Sequence, residues 1–200
     1  MAEDKNDAII RLARARMDEA PVETLRELLT LDADTGRLFW KERGAEWFRD
    51  TEGRNAAHAC ANWNARYAHS EAMTTIGAQG YRVGSIFNKK YAAHRIVFAL
   101  VHGHWPEAEI DHVDGDRLNN RPGNLRNATR SQNQCNVGTM RSNTSGAKGV
   151  SWDRDREMWR ADIMLHYKRK HLGMFKTVKD AADAYRNASA KMHQEFGRVA

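Results

Sequence analysis

The stretch Glu109-Ile-Asp-His-Val-Asp-Gly-Asp-Arg-Leu-Asn-Asn-Arg-Pro-Gly-Asn-Leu-Arg-Asn-Ala-Thr-Arg-Ser-Gln-Asn-Gln134 decides how this chain is read. Ile110 and Val113 bracket Asp111 and His112, which predicts a short strand. Asp114-Gly-Asp116 is a turn signal, and Leu125 opens a second strand. Ser131 with Gln134 three residues on is a capping-box pattern, predicting a helix with Asn133 in its first turn. Strand, loop, strand and helix would bring Asp111, His112, Asn124 and Asn133 together.

Those four side chains suit phosphodiester hydrolysis. That reaction needs an activated water, a cation against the charge growing on the phosphate, and help for the departing oxygen. A neutral His112 can take a proton from water because an unperturbed imidazole titrates near neutrality. Asp111 and Asn133 offer hard oxygen ligands for one Mg²⁺ or Mn²⁺. Asn124 is placed to hold the loop and orient His112. Neighbouring strand residues face opposite ways, so Asp111 and His112 can serve one phosphate only at a strand end or a distortion.

Asp111-His112, Asn120, Asn124-Leu125 and Asn133 at these spacings resemble the ββα-metal motif of HNH homing endonucleases of phages and bacteria, and His94-Arg95 and Trp105-Pro106 resemble that family's lead-in. The resemblance implies a ββα-metal core with His112 as general base, Asp111 and Asn133 on the divalent cation, and Asn124 as the middle Asn of the motif. The final position is Asn133 where the family name has His, which favours a hard metal over zinc. A mobile-element, homing role is implied by the resemblance alone.

Upstream of this stretch, Ile9, Ile10, Ala13 and Met17 recur at helical spacing, and Pro21 starts a second short helix with Leu25, Leu28 and Leu29. Asp32-Ala-Asp-Thr-Gly36 reads as a turn before a strand at Arg37 to Trp40. Lys41 to Gly77 follows no steady period and receives no assignment. Tyr81 to Phe87 and Lys90 to Ala93 flank Asn88-Lys89 as a hairpin, and His94 to His102 reads as a buried helix capped by Gly103. On that apolar helix His94 is read as a packed, hydrogen-bonded histidine, with a catalytic role as the alternative.

Beyond Gly138 to Gly146, a Ser-, Asn- and Gly-rich linker, three strand-like runs follow at Gly149 to Asp153, Met158 to Leu165 and Lys170 to Phe175. Thr177 caps a helix carrying Val178, Ala181, Tyr185, Ala188 and Met192. Gly149-Val150, Trp152, Trp159-Arg160-Ala161, Leu172-Gly173, Phe175 and Ala181-Ala182-Ala184-Tyr185 resemble the apetala / ethylene-response-factor type of DNA-binding domain. The resemblance implies a sheet laid in the major groove, with Arg154, Arg156, Arg160, Arg169 and Lys170 as contacts beside Trp152 and Trp159. Core packing is the other reading of Trp159, and a solvated turn that of Lys168-Arg-Lys170.

The expected fold class is therefore α+β: an HNH core over residues 78–140 after a helical and unassigned region at 1–77, a linker at 141–145, and a three-stranded antiparallel sheet with one helix at 146–200. Charge agrees with this order. Residues 1–80 hold 11 Lys and Arg against 14 Asp and Glu, whereas residues 81–200 hold 21 against 12. Such asymmetry is expected where one part of a chain neutralises phosphates, making double-stranded DNA the expected partner. Cys60 and Cys135 stand apart from any C-x-x-C, no eighteen-residue apolar run occurs, and the acidic start is unlike a secretory signal. A cytoplasmic location in a bacterial or phage-infected cell is expected, with no membrane partner. Two other function classes stand beside the nuclease: a sequence-specific DNA-binding regulator with an inactive core, and a zinc-stabilised binding module.

Overall fold

The computed structural model describes residues 19–53, 55–139 and 142–197; the helix expected over Ile9 to Met17 lies outside them. The architecture is mixed α/β, with small sheets and five α-helices among the described residues. Contacts divide the chain into two compact units, Met1–Glu107 with Asp116–Leu125, and Ala108–Gly115 with Arg126–Ala200.

In the first unit, α1 (Val22–Leu28) follows Pro21 and buries Val22, Leu25 and Leu28. Strands β1 (Leu29–Asp32) and β2 (Arg37–Trp40) pair antiparallel across the Asp32–Gly36 turn, and β3 (Glu71–Ala72) adds to β2. The Asp32 carboxylate accepts from the Thr35 hydroxyl at 2.6 Å and from the backbone of Asp34 and Thr35. Those bonds, the hydroxyl foremost, hold its pKa below the ordinary carboxylate value. Gly36 closes the turn at φ +69, and a Cβ there would stand 2.2 Å from the Asn120 carbonyl carbon.

The unassigned span Lys41 to Gly77 contains α2 (Ala56–Tyr67), capped by the Asn55 side chain on His58 N. This helix buries none of its residues fully, which is why it shows no apolar period. Rings order it instead: Trp63 meets Trp40 edge-on at 5.7 Å, and the Arg43 guanidinium lies 3.8 Å over Trp63. Desolvation there lowers the pKa of Arg43 to about 10.

Strands β4 (Thr75–Ile76), β5 (Arg82–Ile86) and β6 (Lys89–Ala92) form a second sheet, and α3 (Ala93–His102) follows at once, ending on Gly103 at φ +78. The hairpin turns on Phe87 and Asn88, one residue earlier than the sequence reading. Phe87 takes a positive φ with its ring stacked 5.7 Å from Trp47.

In the second unit, β7 (Glu109–His112) and β8 (Leu125–Ala128) form a two-stranded sheet, with α4 (Arg130–Asn136) after it. The capping box is Thr129 with Gln132, not Ser131 with Gln134. Both pairs satisfy the sequence pattern, but Thr129 comes first after the strand and claims the cap.

A three-stranded antiparallel sheet, ordered β11-β10-β9, joins β9 (Val150–Asp153), β10 (Met158–Leu165) and β11 (Lys168–Phe175). Its one face carries α5 (Val178–Met192), capped by Thr177, over Val150, Ala161 and Ala181 with Trp159, Leu172 and Phe175 packed around them. Lys168-Arg-Lys170 lies in strand β11, because the turn is the two residues His166 and Tyr167, both at positive φ. A bulge between Ala161 and Asp162 shifts the register so that Leu172 reaches the core.

Candidate active site

Strand β7 presents Glu109 and Asp111 on one face and Ile110 and His112 on the other. His112 is the strand's last residue, the position at which it and Asp111 can serve a common site. The chain turns there: Gly115 N donates to His112 O at 2.8 Å, with Gly115 at φ +73. Asp111 and His112 are both buried, at 3% and 4% exposure.

A buried carboxylate must be hydrogen-bonded or paired. Asp111 has both provisions. Its Oδ2 accepts from Arg126 Nε at 2.9 Å and Nη2 at 2.7 Å, and its Oδ1 accepts from Asn136 Nδ2 at 2.9 Å. The Asn136 amide also donates to His112 O at 2.6 Å, so one buried side chain ties the strand end to the helix. One turn earlier on α4, Asn133 Nδ2 donates to Glu109 Oε2 at 2.7 Å. Asn133 and Asn136, three apart, thus face the Glu109 and Asp111 side of β7.

Asn124 lies in the other compact unit, where its amide donates to Asn119 O at 2.8 Å and so fastens the loop. His94 is buried on α3, its ring 4.7 Å from Tyr81. Glu109, Arg126 and Asn136 escaped the sequence reading. Asn136 repeats Asn133 at helical spacing, and Arg126 stands on the strand that pairs with β7; those were the available signals.

The donor chemistry fits a hard divalent cation. Asp111 Oδ1 keeps a lone pair beyond its bond to Asn136, and Asn133 Oδ1 accepts no hydrogen bond from the described residues. No group of three His, Cys, Asp or Glu side chains suited to a metal occurs among the described residues. A cation here would rest on one carboxylate and an amide oxygen, completed by water and substrate.

The C-terminal sheet sorts the other predicted residues by register. Arg160 and Arg169 share the face opposite α5 with Ser151, Asp162 and His171. Asp162 lies 3.0 Å from both Arg160 Nε and His171 Nδ1. Lys170 sits across from the buried Ile163 and so belongs to the helix side, exposed. Trp159 packs on that side against the core, with the half-exposed Trp152 ring 5.0 Å away. Arg154 and Arg156 are exposed in the β9–β10 turn, where Arg156 bonds Asp153. No helix among the described residues is long and apolar enough to cross a membrane.

Comparison with known proteins bears on the first group of residues. Residues 91–135 match the HNH endonuclease family. Protein 3.8 of Escherichia phage T7 is 36% identical over 113 residues, covering 56% of this chain and 93% of that protein. An uncharacterized HNH endonuclease of Acanthamoeba polyphaga mimivirus is 29% identical over 123 residues, which span 60% of this chain and 63% of that protein. No solved structure matches the chain significantly.

Proposed function

The chain belongs to the HNH endonuclease family, and from that premise we propose that it is a metal-dependent endonuclease hydrolysing phosphodiester bonds in double-stranded DNA, with its basic C-terminal segment as a targeting domain. The observation that carries this reading is that Asn136 of the following helix bonds both Asp111 and the His112 carbonyl at the strand end, while Asn133 of the same helix bonds Glu109 of the same strand.

In this mechanism His112 takes the proton from the attacking water. Its strand end is fixed by Asn136 on its carbonyl and by the Gly115 turn. Asp111 Oδ1 and Asn133 Oδ1 would hold one Mg²⁺ or Mn²⁺, which supplies charge stabilisation on the phosphate when bound. Asn124, the middle Asn of the motif, keeps its own loop in shape through Asn119 O. The catalytic domain is assigned to residues 78–140, joined by 141–145 to a targeting domain at 146–200. Assignment of the latter to the apetala / ethylene-response-factor type rests on sequence motifs and on a three-stranded sheet with one helix. There Arg160 and Arg169 reach the DNA from the open face and Arg154 and Arg156 from the turn, with Trp152 and Lys170 at the margin and Trp159 beneath. A homing role within a phage or bacterial host agrees with these assignments.

The test is incubation of wild-type and His112→Ala protein with supercoiled plasmid carrying a randomised site library, in Mg²⁺, Mn²⁺ or chelator. Nicked or linear product that needs the ion and disappears in the variant is expected. Binding without cleavage under every condition would move the chain to the DNA-binding regulators.

A further inference from the structure

Arg126 has three sets of partners, only one of which belongs to the site already described. Its Nε and Nη2 converge on one oxygen of Asp111, and its Nη1 donates to Glu195 O at 2.7 Å. Its guanidinium lies 4.0 Å over the buried Phe196 ring. Glu195 and Phe196 belong to the single 3-10 turn Gln194–Phe196 that follows α5. From 69 residues along the sequence, the Gln194–Phe196 turn therefore grips the guanidinium that grips the carboxylate.

The geometry points to Arg126 as a positioning residue that restricts Asp111 to one metal-facing oxygen, and to the Glu195–Phe196 turn as what sets that restriction. The inference rests on the nuclease reading above. Two donors on Oδ2 occupy its lone pairs and leave Oδ1 as the oxygen with capacity to spare. A guanidinium cannot deprotonate, so its charge opposes any divalent ion that Asp111 takes up. The arrangement gives up metal affinity and gains a fixed ligand. Preorganisation of that kind matters more to a phosphoryl transition state than tight binding does. The ring and the carbonyl behind Arg126 keep the fork from swinging away, because a planar guanidinium stacked on a ring has one favoured plane.

Two variants separate orientation from charge. Arg126→Gln removes the charge and the fork; Arg126→Lys keeps the charge and loses the fork. Titration of the full chain with Mn²⁺ by calorimetry is read beside the single-turnover rate on supercoiled plasmid. Arg126→Gln is expected to bind Mn²⁺ about three- to tenfold more tightly, as loss of a nearby like charge predicts, yet to cleave at least about tenfold more slowly because the ligand is no longer aimed. Arg126→Lys should keep near-wild-type Mn²⁺ affinity and share the slowed cleavage. Phe196→Leu, which keeps apolar bulk and the Arg126 charge but loses the ring face, should like Arg126→Lys slow cleavage at near-wild-type Mn²⁺ affinity, and should slow Arg126→Gln no further when added to it. Should Arg126→Gln not fold, Arg126→Lys and Phe196→Leu carry the test. Equal Mn²⁺ affinity and equal rates in wild type and these variants would overturn the inference, as would additive effects of the two sites. A wild-type chain that binds no Mn²⁺ would overturn the nuclease reading itself, and this inference with it.

Discussion

Asn136→Ala should loosen the strand end and the helix together. The side chain is 6% exposed and donates to Asp111 Oδ1 at 2.9 Å and His112 O at 2.6 Å, with a longer contact to Val113 O at 3.5 Å. A bond to a carboxylate contributes about 1.5–3 kcal/mol and one to a neutral carbonyl about 1 kcal/mol. Better helix propensity of alanine returns roughly 0.5 kcal/mol. The net loss is about 2–3.5 kcal/mol, which corresponds to a fall in protection of roughly thirtyfold or more, at about 1.4 kcal/mol per tenfold. Hydrogen–deuterium exchange read by mass spectrometry on peptides spanning 108–136 measures it directly, without assuming that two compact units unfold as one. Asn133→Ala is the internal control: its partner Glu109 is exposed, so the loss should stay below about 1 kcal/mol. Unchanged exchange in Asn136→Ala, or an equal effect from Asn133→Ala, would refute the claim that Asn136 locks this strand.

Three further outcomes follow from the C-terminal unit. A Cβ at Gly149, at φ +72, would stand 2.3 Å from the Tyr185 ring and 2.6 Å from Asp162 O; Gly149→Ala should therefore cost about 2–4 kcal/mol, read as a fall in the guanidinium midpoint. Burial raises the Tyr185 pKa to about 12 from 10.0. The folded state thus holds its proton longer than the unfolded one, so stability is full below pH 10.0 and falls as pH climbs towards about 12. Denaturation midpoints across that range should show the slope in wild type and a flatter one in Tyr185→Phe. Arg169→Ala, on the open sheet face, should reduce the salt dependence of DNA binding by about one counterion, measured as the slope of log K against log salt; an unchanged slope removes that face from the DNA contact surface.

How far these features were legible before the structure depended on the kind of signal. The strand at Arg37 to Trp40, the Gly103 cap and the Thr177-capped helix were legible because each rests on local chemistry, a period or a cap. Helix α2 was not, since aromatic edges order it and leave no apolar stripe to read. Within the candidate site, Asp111, His112 and Asn133 announced themselves by residue type. Arg126 and Asn136 were harder to find because their importance lies in what they hold, and hydrogen-bond partners 15 and 25 residues away leave no periodic trace. The face assignment of Lys170 turned on the bulge at Asp162, a one-residue register shift that alternation alone does not locate.

The division of the chain has a consequence for its ancestry. One compact unit gathers Ala108–Gly115 with Arg126–Ala200, and Asp116–Leu125 between them belongs to the other. An exchange of tails at the Ser145 boundary would cut inside the former unit, where Asn143 donates to Ala147 O and Ser145 to Val150 O. Here the exchange would carry a hidden cost, because a borrowed tail would arrive without a ring at the place of Phe196 and leave Arg126 uncovered. Lineages that traded this tail should therefore show paired changes at positions 126 and 196, and a laboratory chimera should succeed only when its crossover falls upstream of residue 108.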